Sequence, residues 1–142
     1  MINDEEMLQF ILKNAEMGCL GINDVKSYAD NTDLRNALRS QNLEYGHIYH
    51  NAYNILKNRG YSPNKISRFV SSMASAKAKR ELKNDSSDSH IAEMMIQGNT
   101  MGVQKIAQHI RQYSGNNELV NNLADKLMST EQANIEEMKS FL

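Results

Sequence analysis

Apolar residues in this chain recur at three- and four-residue steps in five stretches, separated by short polar breaks. At about 100° per residue, that spacing gathers side chains onto one side of an α-helix. The first stretch, residues 3–29, aligns Leu8, Ile11, Leu12, Ala15, Cys19, Ile22, Val25 and Ala29. Asn3 can cap it, and Asp4, Glu5 and Glu6 suit the positive end of the helix dipole. Gly18 falls on the stripe, which predicts a close helix approach there rather than a helix end. After the polar break Asp30–Asp33, with Asn31 or Thr32 as the cap, residues 33–59 align Leu34, Leu38, Gln41, Tyr45, Ile48, Ala52 and Ile55. Gly60 then suits a left-handed C-terminal stop.

The middle of the chain is less regular. Tyr61-Ser62-Pro63-Asn64 reads as a turn, and residues 65–83 as a helix whose apolar side is Ile66, Phe69, Val70, Met73 and Leu82. A polar loop, NDSSDS, ends in Ser89 as the next cap. Residues 89–113 align Ile91, Met94, Met95, Gly98, Met101, Gly102, Ile106 and Ile110. Ser114-Gly115-Asn116-Asn117 is a turn, and residues 118–142 place Leu119, Leu123, Leu127, Met138 and Phe141 inward. No stretch alternates as a strand would. The reading is all-α in one domain of residues 1–142: two helix hairpins with short links, antiparallel within each, joined by a long connection that holds a helix.

Composition supports this. One proline, no tryptophan and nine methionines favour helices with an adaptable core. A length of 142 residues suits one core. The net charge is −1, so long-range attraction to nucleic acid or an anionic membrane is not expected. Lys77, Lys79, Arg80 and Lys83 form a basic cluster without interleaved aromatics, read as a solvated helix face. The lone Cys19 permits no internal disulfide, the N-terminal stretch has acids where a secretory signal has bases, and no apolar run spans a bilayer. A cytoplasmic protein is expected.

Candidate chemistry centres on Glu44-Tyr45-Gly46-His47, a Glu-x-x-His pair within the second helix. Residues three apart share a helix side, so such a pair can present a carboxylate and an imidazole together. A di-metal bundle site needs two such pairs and two further glutamates. Glu16, Glu44 and His47 supply the first half, and the second half offers Gln97, Glu131 and Asn134, with amides where a carboxylate and an imidazole belong. Glu44 lies about 60° and His47 about 120° from the Gln41 direction, on the shoulder of the stripe. Glu131 and Asn134 lie near the centre of theirs, so Glu131 needs a polar partner: Gln41, Asn134 or a tyrosine hydroxyl. His109 reads as a hydrogen-bonded core residue, His50 and His90 as surface, and Cys19 as a small buried hydrophobe. Residues 15–22 can be set against 96–103, and 44–47 against 131–134, as the trace of a duplicated hairpin.

Ser89–Gly102 and Thr130–Lys139 resemble small spore-coat-type proteins of spore-forming Gram-positive bacteria, similar to the ferritin-like superfamily of bacterioferritin and rubrerythrin. That resemblance implies a ferritin-like four-helix bundle with an additional helix in the crossover. In active members it implies iron or oxygen chemistry. The expected function is a non-catalytic bundle with a structural or protein-interaction role, with a homodimer or another protein as partner. No cofactor is expected. The alternative is a metal-binding, di-iron-type oxidoreductase or iron-handling protein with an irregular ligand set of Glu16, Glu44, His47 and Glu131.

Overall fold

The computed structural model describes residues 1–142, and every named element is a helix. These are α1 (Asp4–Val25), a 3-10 turn (Lys26–Tyr28), α2 (Thr32–Asn58), α3 (Arg68–Asn84), α4 (Asp88–Gln112) and α5 (Glu118–Lys139). Local chemistry sets the ends. Asn3 and Glu6 make a reciprocal capping box at α1. Asn31 accepts from the amides of Asp33 and Leu34 at α2. Gly60, at φ +82°, takes the left-handed position after α2 that glycine adopts without strain. Two starts differ from the sequence reading. Ser67 caps α3, so the helix begins three residues late, and Ser87 rather than Ser89 caps α4. Asp88, freed from capping, accepts from the amides of Asp30 and Asn31 and fastens the α1–α2 link to the head of α4.

Four helices form a ring in which α1 touches α2 and α4, and α5 touches the same two. The start of α1 pairs with the end of α4 through Ile2 and Tyr113, so these two run antiparallel. The link at residues 29–31 makes α1 and α2 antiparallel as well, which leaves α2 and α4 parallel. The chain therefore crosses the full length of the bundle between them, and α3 makes that crossing. The core contains Leu8, Ile11, Leu12, Ile22, Leu34, Leu38, Ile48, Leu56, Ile91, Ile106 and Leu127, all fully buried. The predicted stripes hold on α1 and across Leu34–Ala52 of α2. Leu56 replaces Ile55, and Val120 replaces the exposed Leu119.

Helix α3 corrects the sequence reading most. It packs on α1, and its inward residues are Ser71, Ala74, Ser75, Ala78 and Leu82. Phe69, Val70 and Met73, read as its buried side, are exposed. The seam with α1 is polar and stitched by one side of that helix. Gln9 donates to the Ser62 carbonyl (3.0 Å) and accepts from the Asn64 amide (2.8 Å). Glu16 accepts from the Ile66 amide (3.2 Å), and Asp24 from the Ser75 hydroxyl (2.9 Å). Spacings of seven and eight residues put these three on one face of α1.

Candidate functional site

Packing α3 on α1 leaves a cleft of about 800 Å³ between α1, α3 and α4. Helix α3 reaches α4 at its far end, where Glu81 lies 3.8 Å from His90. Four glycines line it, Gly18 and Gly21 of α1 and Gly98 and Gly102 of α4: Gly21 and Gly98 leave open space, while Gly18 and Gly102 let Tyr45 and Glu131 pack close at its floor. Met17, Met94, Met95 and Met101 supply flexible apolar walls, and Lys13, Lys65, Lys77 and Lys105 stand on the rim with Asp24 and Glu81. A volume of this size is in the range that ordinary small-molecule sites occupy.

Tyr45 and Glu131 lie at the floor. Glu131 is 2% exposed and carries the only carboxylate in the buried core. The Tyr45 hydroxyl lies 2.9 Å from Glu131 Oε2 and 2.6 Å from Asn99 Oδ1. Asn99 donates to the Met95 carbonyl at 2.7 Å, and its oxygen also accepts from Asn134 at 3.4 Å. Asn14 completes the cluster in either of two amide orientations. One donates to both carboxylate oxygens of Glu131 at 3.1 Å, and the other donates to the Gly102 carbonyl at 3.3 Å.

With Glu131 ionised, this cluster has more acceptors than hydrogens. Tyr45 has one hydroxyl hydrogen for two acceptors. Protonated Glu131 resolves the conflict by donating to Tyr45 Oη, while Tyr45 donates to Asn99. Ionised Glu131 takes the Tyr45 hydrogen and the Asn14 amide instead. Burial pushes the Glu131 carboxyl up to about 7, against the hydrogen bonds from Tyr45 and Asn14, which lower it. Burial, and then the charge of Glu131, raises the Tyr45 hydroxyl far above its ordinary value. The Glu131 carboxyl therefore titrates near neutral pH within a buried cluster of amides and a phenol. Burial, followed by Glu16, also raises the half-buried Cys19 thiol, which keeps it protonated.

The four residues read as metal ligands are not brought together. Glu131 is on the floor of the cleft. Glu16 holds the crossover through the Ile66 amide. Glu44 lies on the α2–α5 surface, 3.4 Å from Lys126. His47 is exposed. No three acidic, histidine or cysteine side chains converge anywhere in a way that could hold a metal ion. Glu131 alone, facing amides and a tyrosine, is a poor donor set for iron. The anticipated ligand set thus does not form a coordination shell. Gln97 and Glu93 are both exposed. His109 is half-buried, bonded through Nδ1 to the Lys105 carbonyl (2.8 Å) and stacked on Phe10. Asn14 and Asn99 were missed as site residues. Asn99 had a signal, being a polar residue four after Met95 and three before Gly102 on an apolar stripe.

No family model and no curated protein matches the sequence. Among solved structures, the chain is similar to a DUF305 fragment from Deinococcus radiodurans, at a TM-score of 0.74 and 14% identity, over 96% of this chain and 93% of that one. At that identity the likeness is one of fold. It corrects the ferritin-like, spore-coat-type assignment made from Ser89–Gly102 and Thr130–Lys139: the helical fold matched along nearly the whole chain is that of a DUF305 fragment.

Proposed function

We propose that the protein is a non-catalytic binding module whose cleft takes a small anionic amphiphile, with its chain between α1 and α4 and its head at the lysine rim. The observation that carries this reading is the glycine-walled cleft of about 800 Å³ with methionine walls and a basic edge. An apolar interior with few polar groups is the ordinary character of a ligand site. Methionine walls adapt to a flexible chain. Four lysines at the rim against two acids, one of them already bonded to Ser75, favour a negative head. Glu131 supplies a neutral, hydrogen-bonded floor when protonated. Catalysis finds less support, since the floor holds one carboxylate whose neighbours are amides and a phenol. This narrows the structural or interaction role expected from the sequence to ligand binding.

Gly98 provides the test. It lines the cleft, and a Cβ there meets nothing within 4 Å. Gly98→Leu therefore adds an apolar side chain at the cleft wall from a Cβ that meets no neighbour, and should narrow the cleft. Dansyl-labelled undecanoic acid should bind the parent chain saturably at one equivalent. Gly98→Leu should weaken binding at least tenfold, and Lys13→Gln with Lys105→Gln several-fold. No saturable binding, or equal binding by Gly98→Leu, overturns the reading.

A further inference from the structure

Helix α3 is amphipathic in the wrong sense for a bundle helix. Its small residues face α1, and its large apolar residues face out. At about 100° per residue, Phe69, Met73, Ala76, Arg80 and Lys83 fall within roughly 40° of one outward direction. Val70 and Lys77 flank that line on one side, and Arg68 and Lys79 on the other. Phe69 is 74% exposed, Met73 58% and Val70 47%. No other segment places three large apolar residues so close together in the open. Isolated surface apolar residues need no explanation, but a cluster on one helix does.

The charge is equally uneven. Residues 65–84 carry six basic side chains and one acid, a net of +5, so the other residues carry −6 and the overall −1 conceals a dipolar molecule. The expectation of no attraction to an anionic surface rested on that sum, and the sum is the wrong quantity once the charge is segregated. The exposed apolar residues lie in the first half of α3 and the bases, Arg68 apart, in the second, with Val70 and Lys77 bordering the cleft. Apolar side chains bordered by lysine and arginine are what an interfacial helix presents to a charged bilayer.

We propose that the outer face of α3 docks on an anionic phospholipid surface, with Phe69 and Met73 entering the headgroup–acyl boundary and Arg68, Lys79, Arg80 and Lys83 lying against the headgroups. A second copy of this chain is a poor occupant, because a symmetric contact through α3 (Arg68–Asn84) sets +4 against +4. A nucleic acid would use the bases and leave the apolar cluster unexplained. An acidic protein could use both, and the polyglutamate arm of the test below separates it from a bilayer. The convex helix, lying parallel to α1 on the outside of the bundle, can meet a flat surface along its length without any change in the fold.

Each base near an anionic bilayer contributes on the order of a fivefold gain in binding, and salt screens that gain within about a Debye length. Sedimentation with vesicles of equal phosphatidylglycerol and phosphatidylcholine should show the chain bound at low salt, and binding should fall steeply between 50 and 300 mM salt. Pure phosphatidylcholine vesicles should bind at least 30-fold less. Lys79→Gln, Arg80→Gln and Lys83→Gln together should weaken binding on the order of 100-fold. Phe69→Ser with Met73→Ser should weaken it about tenfold or more. Both sets lie on an exposed face, and unchanged helical circular dichroism confirms that they fold. Gly98→Leu, which narrows the cleft, should bind vesicles like the parent, and this separates docking from occupation of the cleft. The proposal is overturned by any of three results: no binding to the mixed vesicles at 50 mM salt, equal binding by the Phe69/Met73 variant, or capture by polyglutamate or duplex DNA but not by vesicles.

Discussion

Gly102 on α4 lies directly under the carboxylate of Glu131 on α5, so close that a methyl group added to Gly102 would overlap the carboxyl oxygens. Gly18 on α1 bears the same relation to Tyr45 on α2, where an added Cβ would meet the ring at 2.5 Å. The two partners then bond to each other across the core. Gly102→Ala should destabilise by about 3 kcal/mol despite alanine's better helix propensity, and Gly18→Ala by about 2 kcal/mol. Removing the obstructing carboxylate should relieve the first clash. In urea unfolding, Gly102→Ala with Glu131→Ala should cost less than the sum of the single variants by about 1–2 kcal/mol.

The proton held by Glu131 makes stability depend on pH in a defined direction. Its carboxyl is raised from 4.5 to about 7, so between those values the folded chain binds more protons than the unfolded one. The stability contributed by this group is complete below about pH 4.5, declines as pH rises to about 7, and is constant above that. Glu131→Gln lacks the titration. The difference between Glu131→Gln and the parent, measured by urea unfolding from pH 4.5 to 8.5, should therefore grow in favour of the variant by on the order of 3 kcal/mol and then level off. Tyr45→Phe removes a hydrogen bond that lowers the Glu131 value, so it should move the midpoint of this change to higher pH. A flat difference would mean that Glu131 stays ionised in the fold.

Most of this architecture is legible in the sequence, and the exceptions have particular causes. Four helices show one clear apolar stripe each, and the caps Asn3 and Asn31 mark the starts of two of them. Helix α3 deceives because both of its sides are periodic. Phe69, Val70 and Met73 look like a core stripe, but the side that packs is built from serines and alanines, whose periodicity carries no hydrophobic signal. At the site, Glu131 and Asn134 are legible as polar residues at the centre of a stripe. The kind of partner Glu131 meets is legible too, since a tyrosine hydroxyl is among those expected, but which tyrosine is not: the aligned repeat sets Glu131 against Glu44, whereas in space it meets the next residue, Tyr45. Glu44-x-x-His47 drew attention by spacing alone, and its offset of about 60° and 120° from the inward direction agrees with the half-buried Glu44 and exposed His47.

The crossover should open locally when its stitches to α1 are cut. Gln9 makes two hydrogen bonds to the backbone at Ser62 and Asn64, and Glu16 makes one to Ile66. At about 1 kcal/mol each, their loss raises the population of the open segment roughly 30-fold for Gln9→Ala and about fivefold for Glu16→Ala. Trypsin cleavage after Lys65 and Arg68 tracks that population when closing is fast. Cleavage rates should rise by those factors. The global unfolding free energy should fall by less than the local change, since the four-helix ring does not depend on the strap.

Gly98 and Gly102 stand one turn apart on α4 and should respond oppositely to the same kind of change. Gly102 supports a close approach, and Gly98 supports none, since a Cβ there meets open space. Glycine within a helix costs about 1 kcal/mol relative to a good helix former. Gly98→Leu should therefore stabilise by about 1 kcal/mol and raise Tm by roughly 3 °C, while Gly102→Ala lowers it. A glycine that weakens its helix and admits no neighbour is accounted for by the room it leaves in the cleft. If Gly98→Leu instead destabilises the chain, the space beside Gly98 is needed for packing, and the cleft loses its strongest support as a binding site.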